Sequence, residues 1–186
     1  MITETSPLAR MLAQRSYRRG TFKLASGKTS DFYVDVKQTV MSSDGAALVG
    51  RLLFEKLQAA GVRCVGGMAV GAVPLVAAAL VAAANAGCPL DGFFVRKEAK
   101  AHGTARRIDG RFDPAATIAL VEDVVTTGES TLQAIEAVEA CGGRVTFVVT
   151  VVDREDDDGL RRLAARVGRA EALVTKTDVQ RAADAL

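Results

Sequence analysis

From residue 62 onward, short apolar runs alternate with helix-like segments, and this alternation limits the chain to few folds. The apolar runs predict strands at 62–65, 93–96, 117–122 and 145–152, with a weaker one near Leu173. The segments between them predict helices at 74–84, 129–141 and 160–167, and one near Val179. Alternating strands and helices with mostly short connections predict an α/β fold, a parallel sheet covered on both faces. The β-branched run 145–152 is typical of a strand buried on both faces.

The first 40 or so residues do not share this alternation. Their pattern predicts a helix at 6–18 and two short strands at 21–25 and 31–36 around a turn at 26–28. A longer helix follows to residue 60, with Ser43 as its predicted N-cap. We expect the opening segment to cap the carboxyl edge of the sheet, which is where such sheets bind ligands.

Composition excludes several classes of protein. The 186 residues are 49% hydrophobic and 25% charged, as in ordinary globular proteins. The net charge of +2 argues against a surface built for nucleic acid or acidic membranes. The stretch 65–84 has no charged residue, but its glycines and Pro74 argue against a membrane-spanning helix.

The cysteines indicate a reduced protein. Cys64, Cys88 and Cys141 are an odd number without CxxC spacing, and His102 is the sole histidine, so a zinc site is excluded. Small reduced hydrophobic side chains are the expected role. Because the first residues lack an apolar signal-peptide core, we expect a cytoplasmic protein.

The strongest motif is EDVVTTGES at residues 122–130. An apolar strand delivers two adjacent carboxylates, and a Thr/Gly loop then leads into a helix whose N-terminal N–H groups favour phosphate. Paired acids beside a phosphate site suit a sugar phosphate, whose hydroxyls donate to carboxylates. The alternative is a helix cap with two solvated acids. The segment matches neither GxxxxGK[ST] nor GxGxxG, so P-loop and dinucleotide sites are not indicated.

The second motif is a basic segment at 96–107. It contains five Lys or Arg residues and one acid, has no apolar periodicity, and includes Gly103. This pattern predicts a loop at the ligand edge that supplies positive charge to a polyphosphate and excludes water. A solvated charged face is the alternative, and a lone histidine such as His102 is more often structural.

Together these motifs resemble a known family. EDVVTTG at 122–128 resembles the phosphoribosyl pyrophosphate (PRPP) motif of type I phosphoribosyltransferases. RKEAKAHG at 96–103 resembles the catalytic loop of the orotate phosphoribosyltransferases within that family. Residues 22–35 are similar to their N-terminal hood motif, and 152–154 to their orotate-contacting strand end. The resemblance covers about residues 17–160.

The resemblance implies a fold and an activity. It implies one domain over 1–186, in which a hood of about 1–40, joined by the C-terminal segment, covers a core of about 41–160. The implied reaction converts PRPP and orotate into orotidine 5′-monophosphate and pyrophosphate, in pyrimidine biosynthesis. It also implies Mg²⁺ carried mainly by PRPP, no direct metal ligand, and a homodimer that shares the catalytic loop across subunits. No nucleic acid or membrane partner is implied.

The resemblance also implies roles for individual residues. Those implied to bind PRPP are Arg96, Lys97, Lys100, His102, Glu122, Asp123, Val124, Val125, Thr126, Thr127, Gly128, Glu129 and Ser130. Those implied in catalysis are Lys97, Lys100 and Asp123. Thr126 and Arg154 are implied to contact orotate, with weaker contributions from Phe32 and Tyr33. The 67–71 loop is implied to face the pyrophosphate.

The chain departs from the family pattern at a few positions. Ala25 stands where part of the family has lysine, and Lys23 is the nearest replacement. The run 155–158 is more acidic than the family's turn, and we interpret it as a solvated turn. Two other functions stay open: a purine phosphoribosyltransferase, which would lack the hood and the basic loop, and a PRPP-sensing transcriptional regulator, which would need a DNA-binding segment.

Overall fold

The computed structural model describes residues 6–23, 29–98 and 107–186, and the side chains at 23, 29 and 30 are not described. The helices are α1 (Pro7–Arg15), α2 (Lys37–Val40), α3 (Ser43–Ala59), α4 (Ala72–Asn85), α5 (Glu129–Ala140), α6 (Gly159–Val167) and α7 (Lys176–Asp184). The strands are β1 (Tyr17–Lys23), β2 (Thr29–Val34), β3 (Cys64–Gly66), β4 (Asp91–Val95), β5 (Ile108–Gly110), β6 (Ile118–Val125), β7 (Val145–Asp153) and β8 (Ala170–Thr175).

A central sheet in the order β5-β4-β3-β6-β7-β8 confirms the predicted α/β fold. Neighbouring strands from β4 to β8 are parallel, while β5 is antiparallel to β4. The expectation of a wholly parallel sheet is therefore wrong at this edge. The three residues of β5 are incompletely buried, so their sequence carries no strand pattern to recognise.

Helices cover both faces of the sheet. One core cluster joins α1, α3, α4 and α7 to inward side chains such as Val121 and Val149. The other joins α5 and α6 to Ile118, Leu120 and Val148. Ile118 and Leu120 thus face one layer while Val121 faces the other, as the two-residue period of a strand requires. The strand predicted at 145–152 is buried on both faces, as expected.

The N-terminal segment forms its own antiparallel pair, β1 with β2. The first strand begins earlier than the predicted 21–25, and α1 ends before residue 18. The reason is tertiary: Ser16 and Tyr17 are buried, and the Ser16 and Thr39 hydroxyls are hydrogen-bonded at 2.7 Å. At the opposite end of the chain, α7 packs against α1.

Several local predictions need correction. The N-cap of α3 is Ser42, not Ser43, and its hydroxyl accepts from the Gly45 N–H. Helix α4 begins at Ala72, two residues before Pro74, and the short helix α2 was not predicted. Cys64 is buried but Cys141 is exposed, so the expectation of small hydrophobic cysteines fails at position 141. No helix in the described ranges has the length and apolarity needed to cross a bilayer.

The order of the strands determines where a ligand site can form. From β3 the chain moves to β4 on one side, and β6 later pairs on the other side of β3. The loops that leave β3 and β6 therefore diverge from adjacent strand ends, which opens a crevice at the carboxyl edge. The 67–71 loop and the 122–130 motif both lie at this switch point.

Candidate active site

Two adjacent acids end the buried part of β6 in different environments. Glu122 is buried, and its carboxylate accepts a 2.8 Å hydrogen bond from the Thr131 hydroxyl on α5. The side chain of Asp123 is about 20% exposed, and its carboxylate accepts from the Val124 N–H at 3.0 Å. Asp123 is therefore the acid that a ligand can reach, while Glu122 is held behind it.

Burial and charge act together on Glu122. Burial raises the pKa of Glu122, and the negative charge of Asp123 raises it further. With all contributions included, the pKa is about 8. The Thr131 hydrogen bond works in the opposite direction because it stabilises the carboxylate. The Glu122 carboxyl therefore keeps its proton to a higher pH than a solvated glutamate does.

A tight loop connects these acids to α5. Gly128 adopts φ 77°, in the left-handed region, so the chain can turn directly into the helix at Glu129. The Thr127 hydroxyl accepts from the Glu129 N–H at 3.4 Å, and Arg162 donates to the Thr127 carbonyl at 2.9 Å. The first N–H groups of α5 point out of the helix beside these hydroxyls, so the loop can hold a phosphate.

The loop after β3 lies directly against the acids. A Cβ atom on Gly67 would lie 2.3 Å from the Val121 carbonyl oxygen, and one on Gly71 would lie 2.8 Å from Asp123 Oδ1. Because the neighbour of Gly67 is backbone, no side chain fits there, whereas a side chain at Gly71 would displace the Asp123 carboxylate. The structure thus brings the 67–71 loop and the 122–130 motif together at one edge of the sheet.

Lys37 is a residue at this site that sequence reasoning missed. Its Nζ lies 2.7 Å from Asp35 Oδ1 and 3.7 Å from Asp123 Oδ2. The hydrogen bond from Lys37 to Asp35 is the main cause that raises the lysine pKa, so the ammonium stays charged. No local pattern announces this contact, because it forms only when the N-terminal segment folds onto β6.

Arg154 and Phe32 come together as a second part of the site. Arg154 is buried, and its guanidinium carbon lies 4.4 Å from the centre of the Phe32 ring. Its backbone N–H donates to the Val125 carbonyl at 3.0 Å, which ties the end of β7 to the end of β6. Tyr33, on the opposite face of β2, is half-exposed and packs against Phe22 instead.

The acidic run after Arg154 is exposed at Glu155, Asp157 and Asp158, as in the predicted solvated turn, but two of its acids also make specific contacts. Asp156 accepts from Arg154 Nε at 3.2 Å and from Lys176 Nζ at 3.0 Å. Glu155 accepts from the N–H and hydroxyl of Thr177 at 2.8 Å and 2.6 Å. These two acids hold the start of α7 against the end of β7 and fix the direction of the Arg154 side chain.

The basic segment is described only in part. Arg96 pairs with Asp109 on β5 and lies over the Phe94 ring, while Lys97 is exposed. The guanidinium of Arg96 is therefore engaged at the edge of the sheet rather than at Asp123. Lys100 and His102 lie outside the described residues, as does Ala25, and the side chain of Lys23 is not described.

Comparison with known proteins identifies the family. No family model matches the chain. The orotate phosphoribosyltransferase of Sorangium cellulosum is 42% identical over 156 residues, which span 82% of this chain and 81% of that protein. This chain belongs to the orotate phosphoribosyltransferase family. It is a transferase, and membership favours the orotate enzymes over the purine enzymes and regulators that the sequence left open.

Solved orotate phosphoribosyltransferases share the fold. The Mycobacterium tuberculosis enzyme in complex with Fe(III) dicitrate superposes with a TM-score of 0.81 at 37% identity, covering 92% of this chain and 96% of that one. The same enzyme in complex with PRPP gives 0.78 at 32% identity, covering 93% and 96%. The sheet with its flanking helices is thus the type I phosphoribosyltransferase fold.

We predict that Glu122→Gln changes how the stability of this orotate phosphoribosyltransferase depends on pH. The pKa of about 8 in the folded protein exceeds the value of about 4.3 for an unfolded glutamate. Folding therefore favours the proton, and stability decreases as the pH rises between those values. Glutamine can accept the Thr131 hydrogen bond without a charge, so the variant escapes this loss.

Urea unfolding at about pH 5 and about pH 9 measures the effect. We expect similar stabilities at the lower pH and an advantage of about 1–3 kcal/mol for Glu122→Gln at the higher one. Glu129→Gln, at an exposed position on the same segment, is the matched control and should leave the pH dependence unchanged. A difference that is equal at both pH values would contradict the role of the Glu122 charge.

Proposed function

We propose that this member of the family transfers the phosphoribosyl group of PRPP to the ring nitrogen of orotate, giving orotidine 5′-monophosphate and pyrophosphate. One observation carries the proposal: the carboxyl edge of the sheet holds two adjacent half-sites, the 122–130 segment and Arg154. The 122–130 segment suits ribose 5-phosphate, and Arg154 suits a carboxylate next to it. The 3.0 Å hydrogen bond from Arg154 N–H to Val125 keeps the two in contact.

The ribose 5-phosphate end of PRPP is assigned to the 122–130 segment. Asp123 accepts hydrogen bonds from the ribose hydroxyls, since its carboxylate is the accessible one, and Glu122 supports it from behind. The phosphate takes the loop and helix start, where backbone N–H groups and the Thr and Ser hydroxyls converge. The helix dipole adds to the attraction for the dianion. The residues of this cradle are Val124, Val125, Thr126, Thr127, Gly128, Glu129 and Ser130.

Orotate is assigned to Arg154 and Thr126, with Phe32 and Tyr33 as weaker contributors. A guanidinium forms paired, charge-assisted hydrogen bonds with a carboxylate, which distinguishes orotate from uncharged pyrimidines. The Phe32 ring supports the guanidinium from below, and Asp156 orients it through Nε. Because both contacts already restrict the Arg154 side chain, it loses less conformational entropy when it binds orotate.

The diphosphate of PRPP is assigned to Arg96, Lys97, Lys100 and His102. Positive charge there stabilises the negative charge that grows on the leaving group, with Lys97, Lys100 and Asp123 as the catalytic residues. Mg²⁺ fits this site as a substrate-borne ion, because it binds through few carboxylates together with phosphates and waters. Bound in this way, it would supply further positive charge to the diphosphate. The diphosphate would hold the ion mainly, and no residue of this chain is assigned to it as a direct ligand.

The decisive assay follows the absorbance of orotate after addition of PRPP and Mg²⁺. We expect the absorbance to fall as the nucleotide forms, and no reaction with adenine or hypoxanthine offered instead. Turnover of a purine without turnover of orotate would overturn the proposed substrate.

We predict that Arg154→Ala raises the KM for orotate far more than the KM for PRPP. Loss of charged hydrogen bonds to a carboxylate corresponds to about a 10- to 100-fold weaker interaction. Steady-state kinetics with each substrate varied in turn measure the split. Arg161→Ala removes an exposed arginine of α6 and should change neither constant. Equal increases in both KM values would remove Arg154 from the orotate subsite.

We further propose that two copies associate through the face between α3 and α4, so that each supplies its basic loop to the other's site. An apolar groove of about 1180 Å³ runs along this face. Met41, Val70 and Val81 are 74%, 74% and 62% exposed there. Exposed apolar patches of this kind mark protein interfaces. Val70 precedes Gly71, so the groove is continuous with the active site and a second copy would reach it.

We predict that Val81→Glu converts the dimer into a monomer and lowers turnover. A buried charge without a partner would oppose association of the apolar faces. Size-exclusion chromatography with light scattering gives the mass, and the orotate assay gives the activity. Ala165→Glu, exposed on α6 at the other face of the sheet, is the matched control. An unchanged dimer mass would show that the interface lies elsewhere.

Two coarser proposals complete the assignment. The single domain 1–186 divides into a hood of about 1–40 with the C-terminal segment, and a core of about 41–160. Packing of α1 against α7 supports the grouping of the two chain ends. We also propose a cytoplasmic location, which is supported by three cysteines that are all free thiols.

A further inference from the structure

Lys37 occupies a position between two acids of the site. It is the first residue of α2, and its Nζ lies 2.7 Å from Asp35 Oδ1 and 3.7 Å from Asp123 Oδ2. The two carboxylates are about one-fifth exposed, whereas the lysine side chain is 46% exposed. The ammonium group therefore lies at the mouth of the site rather than beneath it.

The charge around Asp123 creates a problem for PRPP binding that Lys37 can solve. PRPP is a polyanion, yet the carboxylates of Asp35 and Asp123 lie where its ribose is expected. Of the cations assigned to the diphosphate, Arg96 is turned toward Asp109, and Lys97 follows β4 as an exposed side chain. Within residues 6–23, 29–98 and 107–186, the ion pair that reaches Asp123 comes from Lys37.

The contact between Lys37 and Asp123 is one that a ligand can replace. At 3.7 Å it is a loose, partly solvated ion pair, and such pairs contribute little to stability. Ribose hydroxyls that donate to Asp123 would take over the carboxylate. The lysine would then be released beside the ribose carbon that carries the diphosphate. An ammonium on a flexible stem, with three donors, suits phosphate oxygens as a point charge.

We propose that Lys37 is a further PRPP-binding residue, which leaves Asp123 when PRPP arrives and binds an oxygen of the diphosphate. The inference rests on the proposed function, because it needs PRPP at the 122–130 segment. Asp35 keeps the ammonium charged and restrains its position through the exchange, since their hydrogen bond raises the Lys37 pKa. Lys37 thus balances the charges of Asp35 and Asp123 before PRPP binds, and it contacts the diphosphate afterwards.

The competing explanation is that Lys37 only fastens the N-terminal segment to β6. A fastening role would affect every ligand of the site equally, because all of them need β6 and its loop in place. A diphosphate-binding role would affect only ligands that carry a diphosphate. The two explanations therefore differ in which ligands respond to loss of the ammonium.

The experiment compares three probes on the full-length protein by calorimetry in the presence of Mg²⁺. For Lys37→Met, we expect PRPP and inorganic pyrophosphate to bind about tenfold or more weakly, while ribose 5-phosphate stays within about twofold. Lys37→Arg should recover most of the loss. Lys56→Met is the matched control: Lys56 is a similarly exposed helical lysine, paired with Glu171 at 2.7 Å. It should leave all three affinities unchanged.

Equal weakening of PRPP and ribose 5-phosphate, or no weakening of PRPP, would overturn the proposal. Lys37→Gln, which keeps a donor for Asp35, serves as the second variant if the methionine variant melts at a lower temperature. Failure of the proposed function looks different, since the unmodified protein would then not consume orotate, whether or not it binds PRPP. The behaviour of the unmodified protein thus separates the two kinds of failure.

Discussion

The close approach of two backbones, the loop after β3 and the end of β6, is the constraint on which the rest of the site depends. At Gly67 and Gly71 a Cβ atom would lie 2.3 Å from the Val121 carbonyl and 2.8 Å from Asp123. A side chain at Gly67 would push the loop off the strand end, and one at Gly71 would displace the Asp123 carboxylate. With glycine in place, the acids, the phosphate loop and Lys37 all lie within one short stretch of sheet edge.

The two acids share a sequence motif but not an environment. Burial and the neighbouring Asp123 charge make the Glu122 carboxyl favour the neutral form in spite of its hydrogen bond from Thr131, while Asp123 meets solvent and a lysine. A pair of full charges so close together would repel each other and the incoming polyanion. Protonation of Glu122 and the ion pair between Asp123 and Lys37 reduce that repulsion before any substrate binds.

Sequence patterns predicted what depends on local chemistry and missed what depends on distant contacts. The strand that carries Glu122, the glycine turn after it and the following helix could be predicted because burial, φ and capping act within a few residues. The end of α1 was misplaced because Ser16 is buried by Thr39, far along the chain. Lys37 escaped notice, and the contacts of the acidic run were not predicted, because these partners lie on other elements.

A single peptide hydrogen bond, from the N–H of Arg154 to the carbonyl of Val125, spans the boundary between the two half-sites. Val125 immediately precedes the turn at residues 126–128. A shift of that turn when phosphate binds would therefore move the carbonyl oxygen that accepts this hydrogen bond. The arginine must follow or lose the bond, and its side chain is clamped between Phe32 and Asp156. The backbone therefore links the phosphate-binding segment to the Arg154 side chain, so that a displacement of one would be transmitted to the other.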